Sequence, residues 1–150
     1  MNILFNKNIL LGITGSIAAY KAADLTSKLK KEGCNVKVVM TKSSGTFITE
    51  TTLESLSSNP VYTDEDKSGH VGNFTHLDIA KWADIVLIAP CTANFMNKLA
   101  NGHGDDLLST ICLAFTKNIF IAPAMNPDMW ENKATKENLK KLNKSDVSVL

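Results

Sequence analysis

Short apolar runs of strand length alternate with longer helical patterns along this chain, and this alternation limits the fold more than any other feature. The runs lie at residues 8–13, 36–40, 84–89, 118–121 and 147–150. Strands that are apolar on both faces and are separated by helices predict a parallel sheet covered on both sides. We therefore predict one α/β domain over residues 1–150, doubly wound and Rossmann-like or flavodoxin-like.

The intervening segments carry apolar residues at helical spacing. We predict helices at residues 16–31, 47–57, 75–82, 93–100, 106–115 and 133–142, with Thr75 as the N-cap of the third. Residues 41–44 are predicted as a polar turn. Residues 59–73 are polar and rich in Gly and Asp, which indicates an irregular, mobile loop.

Charge and cysteine content exclude several classes of function. Sixteen basic and fifteen acidic residues give a net charge of +1, so no overall field attracts nucleic acid or an anionic membrane. The N-terminus lacks the apolar core and cleavage site of a signal peptide. Cys34, Cys91 and Cys112 are widely spaced and form no CxxC pair, which argues against disulfides and zinc. We expect a cytoplasmic protein without a bound metal, with the cysteines as small core residues.

The unusual loops all follow predicted strands. They lie at residues 12–16, 41–44, 90–94 and 123–130. Ligands of doubly wound sheets bind outside the carboxyl ends of the strands, so we expect these four loops to converge on one site.

Two of these loops bear on the choice of cofactor. The turn GITGS at residues 12–16 is not GxGxxG, and a packing turn without a ligand explains it about as well as an anion site does. A dinucleotide-binding domain would place Asp or Glu after the second strand, to hold the ribose. This chain has MTKSS at residues 40–44, whose hydroxyls and single cation favour the terminal phosphate of FMN over NAD.

The other two loops have a plain structural interpretation beside the functional one. In PCTAN at residues 90–94, small side chains and an amide suit the approach of a flat ring, but Thr92 could simply cap a helix. In APAMNPDMW at residues 122–130, the prolines exclude both a continuing strand and an immediate helix. The loop is either a stiff ligand clamp or a segment that packs Met125, Met129 and Trp130 into the core.

His76 is the strongest candidate for a general base. It lies in the first turn of a predicted helix, where the helix dipole disfavours the imidazolium form and leaves a neutral imidazole that can accept a proton. A helix-surface role is the simpler alternative. His70 and His103 lie in loops flanked by Gly and are weaker candidates, and the chain contains neither HExxH nor GxSxG.

Five stretches together resemble one family, the homo-oligomeric flavin-containing cysteine decarboxylases, and within it the phosphopantothenoylcysteine decarboxylase domains. They are GSIAAYK (15–21), THLDIAKWAD (75–84), APCTANFMNKLANG (89–102), DDLLST (105–110) and PAMNPDMW (123–130). The resemblance covers nearly the whole chain. Its most specific element is PAMNPDMW with a His-bearing helix upstream.

The resemblance implies roles for individual residues. His76 and Asn126 would be catalytic, and Asn126 would hold the substrate carboxylate beside Met129. FMN would be the cofactor, in a site shared between protomers of a trimer. The residues implied in FMN binding are Gly15, Ser16, Ile17, Thr41, Ser43, Ser44, Phe47, Thr92, Ala93, Asn94 and Ala124.

The implied reaction converts 4'-phosphopantothenoylcysteine to 4'-phosphopantetheine in coenzyme A biosynthesis. Flavin would oxidise the cysteine thiol to a thioaldehyde with His76 as base, and the C=S group would then accept the electrons left by CO2. In the family a Cys-Gly flap after the last strand helps to reduce the enethiol. The sequence stops at Leu150, so we expect either a piece of a longer protein or one that lacks this step.

Two alternatives stay open. A peptidyl-cysteine decarboxylase of peptide-antibiotic maturation shares the His and the PxMNxxMW element and releases the enethiol. A non-catalytic flavin-binding or regulatory subunit belongs to a different class, and the charged extensions of such relatives are absent from this sequence.

Overall fold

The computed structural model describes residues 1–65 and 76–150. Within these residues, six parallel strands form one sheet in the order β3-β2-β1-β4-β5-β6, the order of Rossmann domains. The strands are β1 (Asn8–Ile13), β2 (Asn35–Met40), β3 (Val61–Thr63), β4 (Ile85–Cys91), β5 (Ile119–Pro123) and β6 (Val147–Val149). The predicted doubly wound α/β fold is confirmed.

Helices follow each of the first five strands. They are α1 (Tyr20–Lys31), α2 (Glu50–Ser57), α3 (His76–Trp82), α4 (Ala93–Asn101), α5 (Leu107–Ala114), α6 (Pro127–Glu131) and α7 (Lys133–Asn143). Short 3-10 segments at Ile17–Ala19 and Lys42–Thr46 precede α1 and α2. Across the described ranges, none of these helices has the length and apolar character needed to cross a bilayer.

The sheet separates two hydrophobic cores. Leu11 and Val38 point to the face covered by α1 and α2, whereas Leu10 and Ile88 point to the face covered by α3, α4, α5 and α7. The connections after β1 and β2 therefore lie on one side, and those after β4 and β5 lie on the other. Adjacent strands β1 and β4 mark the point where the winding reverses.

The region before α3 contains a short strand that was not predicted. Residues 59–73 were predicted as a loop, but Val61–Thr63 forms the edge strand β3, with Val61 and Tyr62 buried. Three residues between polar neighbours are too short a run to show strand periodicity, so tertiary pairing with β2 determines this strand. His70 and the proposed cap Thr75 lie outside the described residues.

Two elements at the rim differ from their predicted bounds. The polar turn predicted at residues 41–44 is present as the 3-10 segment Lys42–Thr46, but the helix predicted to begin at residue 47 begins at Glu50 with Thr49 as its N-cap. The prolines of residues 122–130, which were predicted to exclude both a continuing strand and an immediate helix, instead lie in these elements: β5 includes Pro123, and α6 begins at Pro127 after three intervening residues. Pro is tolerated at the first position of a helix, and in a strand beside a register shift such as the one between β4 and β5.

Candidate active site

An open cleft of about 690 Å3 lies where the loops after β1 and β4 meet. This is the topological switch point, at which doubly wound folds bind their ligands. The predicted convergence of loops from β1, β2, β4 and β5 is confirmed. The cleft is lined by Gly15, Ser16, Ile17, Ala18, Ser43, Thr92, Ala93, Asn94, Ala124, Met125, Asn126 and Met129.

Gly15 permits a close approach between the first two of these loops. A Cβ atom added to Gly15 would lie 2.6 Å from the Cβ of Ser43, well inside van der Waals contact. Glycine is therefore required here because of the neighbouring loop. This contact brings the Ser43 hydroxyl to the cleft wall beside the start of the first helical segment.

Of the three hydroxyl-bearing residues after β2 that were predicted to bind FMN, one lines the cleft and two are buried beside it. Ser43 lines the cleft. Thr41 is buried, and its hydroxyl lies 3.3 Å from both the Ile13 carbonyl oxygen and Ser43 Oγ. Ser44 is fully buried and donates to the Thr41 carbonyl at 2.7 Å. Thr41 and Ser44 thus shape the loop that presents Ser43, and Phe47 is an exposed side chain outside the cleft wall.

Thr92 combines the two interpretations that the sequence left open. It is the N-cap of α4, and its Oγ1 accepts a hydrogen bond from the Phe95 N–H at 3.2 Å. It also lines the cleft with Ala93 and Asn94. The start of α4 therefore presents small side chains, an amide and helix N–H groups to the same space.

Asn126 is held at the mouth of the cleft by the first turn of α6. It is the N-cap, and its Oδ1 accepts a hydrogen bond from the Met129 N–H at 2.8 Å. A further backbone bond, from the Ala124 N–H to the Cys91 carbonyl at 2.9 Å, ties this loop to the end of β4. The exposed Asn126 side chain is therefore oriented by its own backbone, leaving its Nδ2 donors for a ligand.

The PAMNPDMW loop was predicted to be either a ligand clamp or a core-packing segment, and each interpretation holds for some of its residues. Met125 and Trp130 are half-buried and pack against the core. Met129 is 46% exposed and lines the cleft. Ala18 and Met125 are cleft residues that the sequence analysis missed. Both lie inside the quoted stretches GSIAAYK and PAMNPDMW and adjoin residues that were predicted to bind a ligand.

His76 lies apart from the cleft wall of its own chain. It is the exposed first residue of α3. The far end of α3 meets the start of the sheet, where the Asp84 N–H donates to the Asn8 carbonyl at 2.8 Å. The His76 end of α3 therefore lies towards the carboxyl edge of the sheet, but within the part of the chain that the structure describes His76 does not join the cleft residues.

The cysteines are buried, as predicted, and none is in a disulfide. Burial raises the pKa of the Cys91 thiol far above its ordinary value, and it raises that of Cys112 to about 12. Burial, followed by the charge of Glu32, also raises the pKa of Cys34. These thiols are therefore protonated near neutral pH and are poor nucleophiles.

The cleft wall is electrically neutral throughout the described ranges. It combines apolar side chains with the amides of Asn94 and Asn126 and the hydroxyls of Ser16, Ser43 and Thr92. A mainly apolar pocket with a few convergent polar groups suits a flat ring with a polar edge. The helical segments that begin at Ile17 and Ala93 direct N–H groups to its margin, where an anion is favoured.

Comparison with known proteins identifies relatives of this chain. The chain is 48% identical over 137 residues to the coenzyme A biosynthesis bifunctional protein CoaBC of Bacillus subtilis (strain 168), covering 91% of this chain and 34% of that protein. The chain spans about a third of the length of the bifunctional relatives it matches.

Solved structures with the same fold include two decarboxylases. A PPC decarboxylase mutant complexed with pantothenoylaminoethenethiol has a TM-score of 0.85 and 36% identity, over 97% of this chain and 81% of that one. The FMN-dependent cysteine decarboxylase SpaF has a TM-score of 0.90 and 31% identity, over 98% and 85%. The model of the Flavoprotein family matches residues 3–150. This chain, with its switch-point cleft, belongs to the Flavoprotein family.

Proposed function

We propose that this chain is an FMN-dependent decarboxylase of 4'-phosphopantothenoylcysteine, acting in coenzyme A biosynthesis. The observation that carries the proposal is the cleft itself, which brings the glycine turn, the Thr92 loop and Asn126 together at the switch point. Similarity to CoaBC and to a PPC decarboxylase supports the choice of substrate.

The cleft fits FMN in size and in chemistry. Its volume of about 690 Å3 is in the range of small-molecule sites, and its neutral wall suits an isoalloxazine ring. We assign the phosphate to the N–H groups and hydroxyls of Gly15, Ser16, Ile17 and Ser43. The ring would lie against Thr92–Asn94 and Ala124. Thr41 and Ser44 would act indirectly, by holding the Ser43 loop.

FMN, when bound, supplies the oxidation of the substrate CH2–SH group to a thioaldehyde, whose C=S group accepts the electrons left by CO2. The protein supplies orientation. Asn126 would bind the carboxylate through its Nδ2 donors, because its Oδ1 is already occupied by Met129. Met129 would cover the substrate and exclude water, and His76 would accept the proton that the cysteine loses.

His76 requires a second copy of the chain to reach a cleft. Exposed apolar side chains lie beside both the cleft and His76. Ile17, Tyr20 and Phe47 lie on the cleft side, and Leu77 follows His76 on α3. Two different apolar patches on one chain favour a head-to-tail contact, which closes into a ring. We propose a homotrimer in which His76 of one copy faces the cleft of the next.

Reduction of the enethiol product to the thiol would take back the two electrons given up to FMN, and an accessible thiol would assist this step. The three cysteines of this chain are buried and protonated, so none offers an accessible thiol for that step. Their reduced, unpaired state fits a cytoplasmic protein, which is the location we propose.

A peptide with a C-terminal cysteine is the second candidate substrate. The observation that favours it is the likeness to a solved peptidyl-cysteine decarboxylase, with a TM-score of 0.87 against 0.85 for the PPC decarboxylase. Asn126 is an exposed residue of the cleft wall, so a longer substrate could extend outward from it.

Two measurements test these proposals. The visible absorbance spectrum after incubation with FMN shows whether the chain binds flavin, and we expect a bound yellow chromophore. CO2 release from phosphopantothenoylcysteine and from a peptide ending in Cys then distinguishes the substrates. A colourless oligomer that takes up no FMN would contradict the proposal, and bound flavin without CO2 release from either substrate would favour a regulatory subunit.

A further inference from the structure

The hydroxyl of Thr14 joins the two loops that form the floor of the cleft. Thr14 is 2% exposed. Its Oγ1 donates to the Pro90 carbonyl at 2.6 Å and accepts from the Thr92 N–H at 3.0 Å. The hydroxyl therefore both donates and accepts, and its two partners are Pro90 near the end of β4 and Thr92 directly after that strand.

This side chain extends the contact between β1 and β4 beyond the end of their backbone ladder. The ladder between β1 and β4 ends at the pair Gly12 and Ile88. Two residues further on, Pro90 has no N–H to donate, so the ladder cannot continue in the ordinary way. The Thr14 hydroxyl spans the gap, and the Thr14 N–H adds a longer bond of 3.3 Å to the same Pro90 carbonyl.

We infer that Thr14 is a positioning residue for FMN, an inference that rests on the proposed function. The residues after it, Gly15–Ile17, form one wall of the cleft, and Thr92–Asn94 form the other. Thr14 touches neither the cofactor nor the substrate in this assignment. Its hydroxyl fixes the distance between the two walls before FMN arrives, which lowers the cost of ordering them on binding.

The test measures FMN affinity by quenching of flavin fluorescence. Thr14→Val keeps the shape of the side chain but removes the hydroxyl, leaving the partly buried Thr92 N–H without its acceptor. We expect the dissociation constant for FMN to rise at least about tenfold. Thr14→Ser, which restores the hydroxyl, should bind FMN with wild-type affinity.

Thr26→Val is the matched control. Thr26 is also fully buried, and its hydroxyl donates to the Ala22 carbonyl within α1, away from the cleft floor. Both valine variants should lower the melting temperature of the FMN-free protein to a similar extent, but only Thr14→Val should weaken FMN binding. If Thr14→Val does not fold, Thr14→Cys takes its place in the same comparison.

Three outcomes would overturn the inference. They are wild-type FMN affinity in Thr14→Val, equal weakening in Thr26→Val, and failure of Thr14→Ser to restore affinity. Loss of FMN binding by the wild-type chain itself would instead contradict the proposed function. The two failures are therefore distinguishable in one set of titrations.

Discussion

The side-chain oxygen of Asn126 accepts a 2.8 Å hydrogen bond from the backbone N–H of Met129, and both residues line the cleft. This bond makes Asn126 the N-cap of α6 and fixes which end of its amide faces outward. An amide oriented in this way presents N–H donors, and N–H donors bind a carboxylate. Capping and substrate recognition are thus assigned to opposite ends of one side chain.

Asn126→Asp separates these two roles. Aspartate caps a helix as well as asparagine does, so the fold of α6 should persist. The new carboxylate has no donors and repels the substrate carboxylate, so we expect decarboxylation to fall at least about 100-fold with FMN affinity unchanged. CO2 release and flavin fluorescence measure the two quantities.

Asn132→Asp is the matched control for that variant. Asn132 caps α7 in the same manner, accepting from the Ala134 N–H at 2.9 Å, and it lies outside the cleft wall. We expect wild-type activity in this control. Full activity in Asn126→Asp would refute the role of Asn126 in binding the carboxylate.

Gly15→Ala should weaken FMN binding through a steric effect. The added methyl would lie 2.6 Å from the Cβ of Ser43, so the two loops must separate. We expect the FMN dissociation constant to rise about tenfold or more, measured by fluorescence titration. Adding Ser43→Gly in the same chain removes the clash and should recover part of the affinity.

Gly45→Ala provides the comparison. Gly45 lies in the same segment as Ser43, but a Cβ added there meets no atom within 4 Å. Its FMN affinity should equal that of the wild type. Equal affinity in Gly15→Ala as well would mean that the close contact with Ser43 does not shape the binding site.

The sequence predicted the sheet well because its strands are buried on both faces. The predicted bounds of β1, Asn8–Ile13, agree with the structure, since an apolar run enclosed by helices carries its own signal. β3 was missed because a three-residue edge strand is determined by its partner β2. Pro127 was misjudged for a different reason: it stops a strand but suits the first turn of a helix.

The position of the cleft could be predicted from the topology of the sheet. Parallel strands place their carboxyl ends together, so the loops at Gly15, Ser43, Thr92 and Asn126 had to converge. The place of His76 outside this wall could not be predicted, because periodicity locates a residue on a helix but not relative to another chain. Thr14 carries no signal in sequence, since a threonine directly after a strand is common and its hydroxyl partners lie 76 and 78 residues away.

The buried thiols should resist alkylation in the folded protein. Burial raises the pKa of Cys112 to about 12 and that of Cys91 further, so the thiolate fraction at pH 8 is very small. We expect iodoacetamide to label the native chain at least about 100-fold more slowly than the chain unfolded in guanidinium. Mass spectrometry identifies the sites. Rapid labelling of native Cys91 would make it a candidate reductant after all.

The ion pair between Lys98 and Asp106 should make stability depend on pH. Both side chains are 16% exposed, with Nζ and Oδ2 2.8 Å apart. Burial acts to raise the pKa of Asp106, but the hydrogen bonds from Lys98 and Ser109 outweigh burial and hold that pKa below its ordinary value. Because the folded pKa is below the unfolded pKa, the pair stabilises the fold above about pH 4 and loses this effect as pH falls through the folded pKa.

Lys98→Met tests this dependence by thermal unfolding. We expect a melting temperature about 5 °C lower than that of the wild type at pH 7, with the difference shrinking below about pH 4. Lys140→Met removes the exposed pair with Glu137, whose side chains are 70% and 64% exposed, and should change little at any pH. A constant difference between Lys98→Met and wild type across this range would show that the charge of Asp106 is not involved.

His76→Asn should abolish decarboxylation and leave FMN bound, and His103→Asn, another exposed histidine, should be active. If His76 serves the cleft of a neighbouring copy, two inactive variants can correct each other. A site is complete when its cleft belongs to a His76→Asn chain, which keeps Asn126, and its histidine belongs to an Asn126→Asp chain, which keeps His76. In a randomly mixed head-to-tail ring, about a quarter of the sites have this pairing.

Co-expression of these two variants should therefore restore about a quarter of the wild-type CO2 release per FMN. Co-expression of His76→Asn with the double variant His76→Asn/Asn126→Asp supplies no intact histidine and should restore none. If the first mixture is as inactive as the second, although mass spectrometry shows mixed oligomers, His76 does not act across a subunit boundary. Activity in His76→Asn alone would remove the histidine from the mechanism altogether.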